Sequence, residues 1–209
     1  MKYLFLITAI WSVLSAAAQK PASAGESKKM IEQVCAAAGK MQTLQCDFRQ
    51  EKRLSLLETN MVSTGKMYYK GGKALKWEYV SPYAYTFLLN GDKVMLGSQG
   101  KTDVIQVNSS KTFKQIARIM MHSITGKCLS DTEDFHVTML VEGNEWVAEL
   151  IPRQKELAQL FTRIRLHIDP KSQTATEVEL TEKSGDLTRI TMTNIKKNTP
   201  LDDALFHID

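Results

Sequence analysis

The sequence predicts an α+β protein that is mainly β, in which two amphipathic helices cover the apolar face of an antiparallel sheet. Apolar residues recur at helical spacing in an early segment and again near the middle of the chain. From Asp47 onward, about ten other segments alternate between apolar and polar residues, as half-buried strands do. Short turns separate these segments, which favours antiparallel neighbours. The 209 residues are enough for one domain with a buried core.

The N-terminus has the composition of a secretory signal peptide. A basic residue precedes an apolar run, and Ala16 and Ala18 stand at the small-residue positions before a cleavage site at Gln19. The run is too short for a comfortable transmembrane span. No cysteine follows the small residues directly, as lipid attachment would require. We expect residues 1–18 to be a cleaved signal peptide and residues 19–209 to form a single exported domain.

An amphipathic helix of about four to five turns is predicted from Glu26, with Ser23 or Ser27 as its N-cap. Its apolar residues fall on one stripe, which must pack on another apolar surface. The stripe consists of Met30, Ile31, Val34, Ala37, Ala38, Met41 and Leu44.

Turn signals divide the sequence after this helix into strands. Gly71-Gly72 and Asn90-Gly91 each predict a tight hairpin turn. Pro82 is expected to end a strand, because proline cannot donate a ladder hydrogen bond. The natural topology for such closely spaced strands is an antiparallel meander.

Residues 73–96 carry five of the chain's sixteen aromatic residues. In a strand here, Trp77 and Tyr79 share one face, and Lys76 and Glu78 share the face that meets water. A sheet that packs on its own core explains this pattern. A concave surface for an apolar ligand explains it equally.

A second amphipathic helix is predicted within "SSKTFKQIARIMMHSITG", ending at Gly126. Its polar side carries Lys111, Lys114 and Arg118. Its apolar side is formed by Phe113, Ile116, Ala117, Ile119, Met120 and Ile124.

Enzyme signatures are missing from the sequence. No G-x-S-x-G, H-E-x-x-H, Walker or G-x-G-x-x-G motif occurs. The histidines are scattered, and His136 and His167 are expected to face solvent on strands. Glu142, Glu145 and Glu149 fit a solvated surface better than an acid–base pair. We expect no enzyme activity, no catalytic residue, no metal site and no cofactor.

The net charge argues against a nucleic-acid partner. The formal charge is +4 for the whole chain, and removal of the signal peptide takes away Lys2 and no acid. The remaining excess of about three positive charges is small and evenly spread, unlike a nucleic-acid binding stripe.

Three cysteines, Cys35, Cys46 and Cys128, give an odd count with no C-x-x-C motif. In an oxidising compartment at least one stays a free thiol or bonds to another molecule, and the spacing leaves the pairing open. Cys35 lies on the apolar side of its helix, where a cysteine usually serves as a small hydrophobic residue.

The predicted strands share an apolar face rich in aromatic and methionine side chains. Methionine is flexible and polarizable, so it suits a surface that accommodates variable apolar shapes, although a plain core uses the same residues. The candidate binding residues on this face are Phe48, Met67, Tyr69, Trp77, Tyr79, Phe87 and Leu89.

The order of these parts resembles the periplasmic outer-membrane lipoprotein carrier family, LolA. The resemblance rests on the order and spacing of short segments over nearly the whole mature chain. The segments are "DFRQEKR" at Asp47–Arg53, "STGKMYYKGGKALKWEYVSP" at Ser63–Pro82, "LLNGDKV" at Leu88–Val94 and "ITMTNIKKNTPLDDALFHI" at Ile190–Ile208.

The resemblance implies an unclosed antiparallel β half-barrel, with an N-terminal helix and a central helical lid covering an apolar cavity. The candidate binding residues would then line an acyl-chain cavity. The lid would be formed by Phe113, Ile116, Ile119 and Met120.

The function that the resemblance implies is that of a periplasmic carrier. Such a carrier shields the acyl chains of lipoproteins and ferries them from the inner to the outer membrane. Its partners would be acylated lipoproteins, an inner-membrane transporter that releases them and an outer-membrane acceptor, and we expect a monomer. Two alternatives stay open on the same fold: a periplasmic lipid or glycolipid carrier, and a ligand-sensing module that regulates a membrane partner.

The sequence departs from the family at one position. Better-known members carry an Arg between the positions of Gly65 and Trp77, where it bonds to the lid and holds it shut. Counting from Gly65 places Gly71 at that position here. The substitutes would be Lys70, Lys73 or Lys76, or the lid is held in another way.

The lid assignment can be tested by placing a charge on the apolar side of the central helix. Burial of an acyl chain gains about 0.8 kcal/mol per CH₂, hence ~10 kcal/mol for a long chain, and a closed lid opposes this by competing for the cavity. We expect Ile116→Glu or Met120→Glu to differ from the parent in affinity for acylated lipoprotein and in its release to an acceptor. Lys114→Gln, on the polar side, is the control. Binding and release equal to those of the parent would exclude the lid role.

Overall fold

Twelve antiparallel strands form one continuous sheet that does not close on itself. This computed structural model describes residues 20–57, 59–98, 100–107, 119, 121–123, 126–130 and 133–208. The strands are β1 (Lys20–Pro21), β2 (Thr43–Arg53), β3 (Asn60–Lys70), β4 (Ala74–Ser81), β5 (Tyr85–Asn90), β6 (Lys93–Ser98), β7 (Lys101–Gln106), β8 (Phe135–Glu142), β9 (Glu145–Pro152), β10 (Phe161–Asp169), β11 (Thr174–Glu182) and β12 (Leu187–Lys197). The helices are α1 (Ala24–Gly39) and α2 (Lys155–Leu160), with 3₁₀ turns at Lys127–Leu129 and Asp203–Phe206.

The order across the sheet is β1-β8-β9-β10-β11-β12-β2-β3-β4-β5-β6-β7, so β1 and β7 form its two edges. Nearly every strand pairs with the next in sequence, and the two long-range pairings join β12 to β2 and β1 to β8. The predicted mainly β, unclosed antiparallel half-barrel is therefore confirmed. Among the described residues, no helix is long and apolar enough to cross a membrane.

The N-terminal helix begins at the predicted cap. The Ser23 hydroxyl accepts from the backbone N–H of Glu26, and the Glu26 carboxylate accepts from the backbone N–H of Ser23 at 2.9 Å. The predicted continuation to Leu44 is wrong, because α1 ends at Gly39 and Leu44 belongs to β2. Leu44 is buried. A helix and a strand would both bury an apolar residue at this position, so the apolar pattern alone could not tell one from the other.

The glycine turns fall where the sequence predicted them. Gly71, Gly72 and Gly91 have φ values of +53°, +69° and +56°, which glycine adopts without steric cost. β4 ends directly before Pro82, also as predicted. The sequence did not predict α2, a short helix between β9 and β10.

The inner face of the sheet carries two apolar clusters side by side. The first lies on β2 to β6 and includes Phe48, Met67 and Trp77. The second lies on β8 to β11 and includes Leu150 and Ile164. α1 covers the second cluster by burying Met30 and Val34 in it.

The outer face is partly covered by the C-terminal segment. Phe206 is 4% exposed and packs with Ala74 and Leu88. Its backbone carbonyl accepts from the Asn90 side-chain amide at 2.8 Å. The sheet therefore buries apolar side chains on both faces in this region.

A close approach at Gly65 predicts that this glycine is required for stability. A Cβ at this position would lie 2.0 Å from the backbone oxygen of Glu78 and 2.7 Å from the Phe48 ring. We expect Gly65→Ala to lower the free energy of unfolding by roughly 1–3 kcal/mol or more, measured by urea denaturation. Gly25→Ala in α1, where a Cβ meets nothing within 4 Å, is the matched control. It should be neutral or stabilising by up to about 1 kcal/mol, and equal losses in both variants would contradict the packing argument.

Candidate apolar ligand cavity

A cavity of about 230 Å³ lies between the two inner clusters. Most of its wall is apolar, and the central segment of the chain contributes Ile119 and Ser123. The remaining lining residues are Gln50, Trp77, Tyr79, Phe161, Val178, Leu180, Thr188, Ile190 and Met192. An apolar cavity of about 150 Å³ already binds benzene, whereas sites for larger ligands have roughly 300–1,000 Å³. A long apolar ligand would therefore fit only if one wall of the cavity moved.

One wall of the cavity is an aromatic cluster built on β2 and β4. The Phe48 and Trp77 ring centroids are 4.6 Å apart, and Phe48 meets Tyr79 edge-on at 5.1 Å. Such pairs contribute about 0.5–1.5 kcal/mol beyond the area they bury. The missing side chain at Gly65 makes room for the Phe48 ring. This wall is consequently held together by contacts between aromatic rings.

Two polar side chains of this wall, Tyr79 and Gln50, hydrogen-bond to each other. The Tyr79 hydroxyl donates to the Gln50 side-chain oxygen at 2.9 Å. Burial raises the pKa of Tyr79, and the nearby Trp77 and Gln50 side chains partly oppose that rise. In the described part of the chain, the Trp77 indole N–H has no acceptor in hydrogen-bond geometry. A buried donor of this kind costs about 1–3 kcal/mol.

The seven predicted binding residues come together on the inner face. Five are buried in the first cluster, and Tyr79 and Phe87 pack against it. Of the seven, Trp77 and Tyr79 are among the described lining residues of the cavity. The acyl-binding role of the set stays a prediction.

The opposite wall, on β10 to β12, was missed from the sequence. Val178, Leu180 and Ile190 are half-buried and contact the cavity. Their alternation with Glu177, Glu179 and Arg189 indicated strands, but alternation cannot show which strands face each other across a cavity. β11 and β12 reach this position because β12 pairs with β2.

Of the predicted lid residues, Ile119 is 8% exposed and lines the cavity. Phe113, Ile116 and Met120 lie outside the described residues. Residues 119 and 121–123 are helical, in agreement with the predicted central helix.

The lysines proposed as substitute latches lie away from the cavity. Lys70 pairs with Asp203 of the C-terminal segment, and Lys76 pairs with Glu78 at 3.3 Å. Both belong to the outer face of their strands, opposite the apolar cluster. Gly71 and Lys73 are exposed in the β3–β4 turn. Among the described residues, none of these positions lines the cavity.

An ionic network covers the outer face of β8 to β12. Glu179 accepts from Arg189 at 2.6 Å and lies 3.5 Å from Arg165, which also pairs with Glu142. Burial opposes ionisation of Glu179, yet the arginines hold its pKa below the ordinary value. The expected solvated surface is wrong for Glu142, whose side chain is 18% exposed.

His167 belongs to the same network and is not solvent-facing as predicted. Its side chain is 14% exposed and lies 3.1 Å from Glu145 and 3.9 Å from Glu177. His167, Glu177 and Glu179 are close enough together for one cation. The two carboxylates already face arginines, so the arrangement fits a cross-strand ion-pair ladder better than a metal centre.

This geometry defines a class of proteins in which an unclosed half-barrel carries an apolar cavity on its inner face. The chain matches the family described as "Outer membrane lipoprotein carrier protein LolA" over residues 39–209. The chain belongs to this family.

Two similar proteins illustrate the match. An outer-membrane lipoprotein carrier protein of Methylococcus capsulatus is 26% identical over 165 residues, which cover 78% of this chain and 76% of that protein. The crystal structure of the lipoprotein LppX of Mycobacterium tuberculosis has a TM-score of 0.50 at 10% identity, and the match covers 86% of this chain and 99% of that one. The second likeness shows the fold alone.

In the part of the chain that the structure describes, no disulfide bond joins Cys35, Cys46 and Cys128. Cys46 is 5% exposed, and burial together with the Asp47 carboxylate raises its pKa to about 12. Because the thiolate is the nucleophile, we expect iodoacetamide near pH 8 to leave Cys46 unmodified until urea unfolds the chain, as measured by peptide mass spectrometry. Equal labelling rates in the folded and unfolded protein would contradict this.

The same pKa shift predicts a loss of stability in alkali. The folded-state pKa of Cys46 lies above the ordinary value of 9.0. Its stabilising contribution is therefore complete below that value and is lost as the pH rises toward about 12. Cys46→Ala should show a smaller decrease in the free energy of unfolding across this range, and an identical decrease would contradict the assignment.

Proposed function

We propose that the protein is a non-enzymatic periplasmic carrier that shields the acyl chains of lipoproteins and ferries them from the inner to the outer membrane. The observation that carries the proposal is the apolar cavity between the two inner clusters. Membership of the lipoprotein carrier family supports the choice of acyl chains as ligand. The partners would be acylated lipoproteins, a releasing transporter in the inner membrane and an acceptor in the outer membrane.

The cavity walls suit reversible binding of an acyl chain. The aromatic wall on β2 and β4 is held by ring contacts and by the Tyr79–Gln50 hydrogen bond. The opposite wall consists of half-buried aliphatic side chains on β11 and β12. The space between them is smaller than a long chain needs. Ile119, which comes from outside the sheet, belongs to the wall that must move on loading.

The free energy needed to displace this wall opposes acyl burial and keeps binding reversible. A long acyl chain gains ~10 kcal/mol on burial, which would make release slow without a competitor. In the structure, Ile119 is buried in the second cluster. Loading then costs the contacts of this segment, and the apparent affinity falls by the fraction of closed protein.

A charged side chain in the cavity wall tests the proposal. Ile190→Glu places a carboxylate against the acyl chain, and a carboxylate is costly to bury without a partner. We expect at least a tenfold loss of affinity for a fluorescent fatty-acid probe, or about 1.4 kcal/mol. Val104→Glu, at a 45% exposed apolar position on β7, is the matched control. Unchanged binding by Ile190→Glu would exclude this cavity as the site.

Mass spectrometry of native protein, purified without detergent, identifies the cargo. Acylated protein in the carrier fraction supports the proposal. Free lipid or glycolipid alone would point to a lipid carrier. Recovery of a membrane partner protein with no acylated ligand would point to a ligand sensor.

A further inference from the structure

The exposed apolar side chains are concentrated at one end of the sheet. Six of the eight large apolar residues that are exposed in the described chain lie on two neighbouring hairpins, β2–β3 and β4–β5. Leu56, at the tip of the first, is 95% exposed, and Leu57 beside it is 56% exposed. The other four are Met61, Val62, Val80 and Tyr83. We name these six residues the apolar rim.

The β2–β3 hairpin projects beyond its neighbour. β4 ends where Ser81 pairs with Thr64, whereas β3 continues to Asn60 and pairs only with β2 there. Four residues of strand extend the hairpin by roughly 13 Å past β4. On its other side the loop is held by the β11–β12 turn, because the backbone N–H of Ser55, next to Leu56, donates to Asp186 at 2.8 Å. A fixed hairpin therefore presents an apolar tip to its surroundings.

The charged residues beside this tip carry a small positive excess. The acids nearest the hairpin are engaged: Glu51 pairs with Arg49, and Glu182 pairs with Lys52 at 2.7 Å. Asp186 accepts from Ser55. The cations Arg53, Lys101 and Lys183 are exposed at the same end, and no ion pair among the described residues includes them. The sequence adds one acid, Glu58, within the tip.

The apolar rim lies at the cavity end of the sheet. Tyr79, Leu180 and Thr188, which line the cavity, stand near the strand ends that meet these hairpins. β11 ends at Glu182, two residues after Leu180, and the β11–β12 turn that follows contacts Ser55. Any membrane or protein surface that contacts the apolar rim therefore also lies close to the cavity.

We infer that the apolar rim docks the protein on an anionic phospholipid surface. Isolated leucines at a projecting tip suit insertion of about 5–10 Å into the headgroup and acyl boundary. Exposed lysine and arginine beside them suit a negatively charged leaflet. A recessed apolar pocket with a polar border would instead favour a protein partner, and the rim is neither recessed nor enclosed. This role is separate from the cavity and does not depend on the cargo.

Vesicle flotation with the unloaded mature chain tests the inference. The vesicles consist of phosphatidylethanolamine and phosphatidylglycerol, and vesicles of phosphatidylcholine alone provide the neutral comparison. We expect the parent to float with the anionic vesicles, and Leu56→Glu/Leu57→Glu to bind them at least tenfold more weakly. High salt should weaken binding by the parent as well. Val104→Glu is the control for adding a charge at an exposed apolar site.

Two readouts distinguish lipid docking by the rim from a loss of folding and from docking on a protein. Both altered leucines are exposed, so the variant should keep the parent's melting temperature and its affinity for the fatty-acid probe. Failure of the parent to bind anionic vesicles, or equal binding by the double variant, would overturn the inference. Normal vesicle binding combined with lost transfer to a protein acceptor would also overturn it, in favour of a protein-docking rim. None of these results bears on acyl binding in the cavity, which Ile190→Glu tests.

Discussion

An antiparallel sheet that does not close leaves an apolar face that some other part of the chain must cover. In this protein the two edges, β1 and β7, lie at opposite ends of a twelve-stranded sheet. α1 covers the half of the inner face on β8 to β11, and the C-terminal segment covers part of the outer face. Between the two inner clusters the described residues leave an apolar cavity. The cavity is the space that remains, and its apolar character follows from the face to which it belongs.

The two sides of the cavity are built from different parts of the chain. The β2–β4 side is fixed by aromatic contacts around Gly65, where the Phe48 ring occupies the space of a missing side chain. The other side includes Ile119, which does not belong to the sheet. The proposed carrier role requires that side to give way when an acyl chain enters, because burial of a long acyl chain gains ~10 kcal/mol.

The outer face contributes stability without contributing to the cavity. Arginines and glutamates alternate across β9 to β12, and the two carboxylates of β11, Glu177 and Glu179, meet guanidinium groups of the neighbouring strands. These pairs are partly buried, and removing one partner would leave a desolvated charge. The apolar rim and the cavity share one end of the sheet, so a contact that draws the rim to a surface also brings the cavity to it.

The sequence by itself determined the fold class, the N-cap of α1, the turns at Gly71-Gly72 and Asn90-Gly91, and the shared face of Trp77 and Tyr79. These features depend on residues close together in the chain, so periodicity and turn chemistry are sufficient to find them. The sequence misplaced Leu44 because helix and strand both bury that position. It also missed α2, which is short and carries little periodic signal.

Only the tertiary structure decided what the cavity is made of. Val178, Leu180 and Ile190 face Trp77 and Tyr79 because β12 pairs with β2 across more than a hundred residues of chain. A period of two assigns a residue to one face of a strand, but it carries no information about which strands become neighbours. For the same reason, His167 was expected in solvent and lies instead within the ionic network on the outer face of β8 to β12. The local sequence determines which side chains share one face of a strand. The long-range pairing of strands determines which of those faces come together.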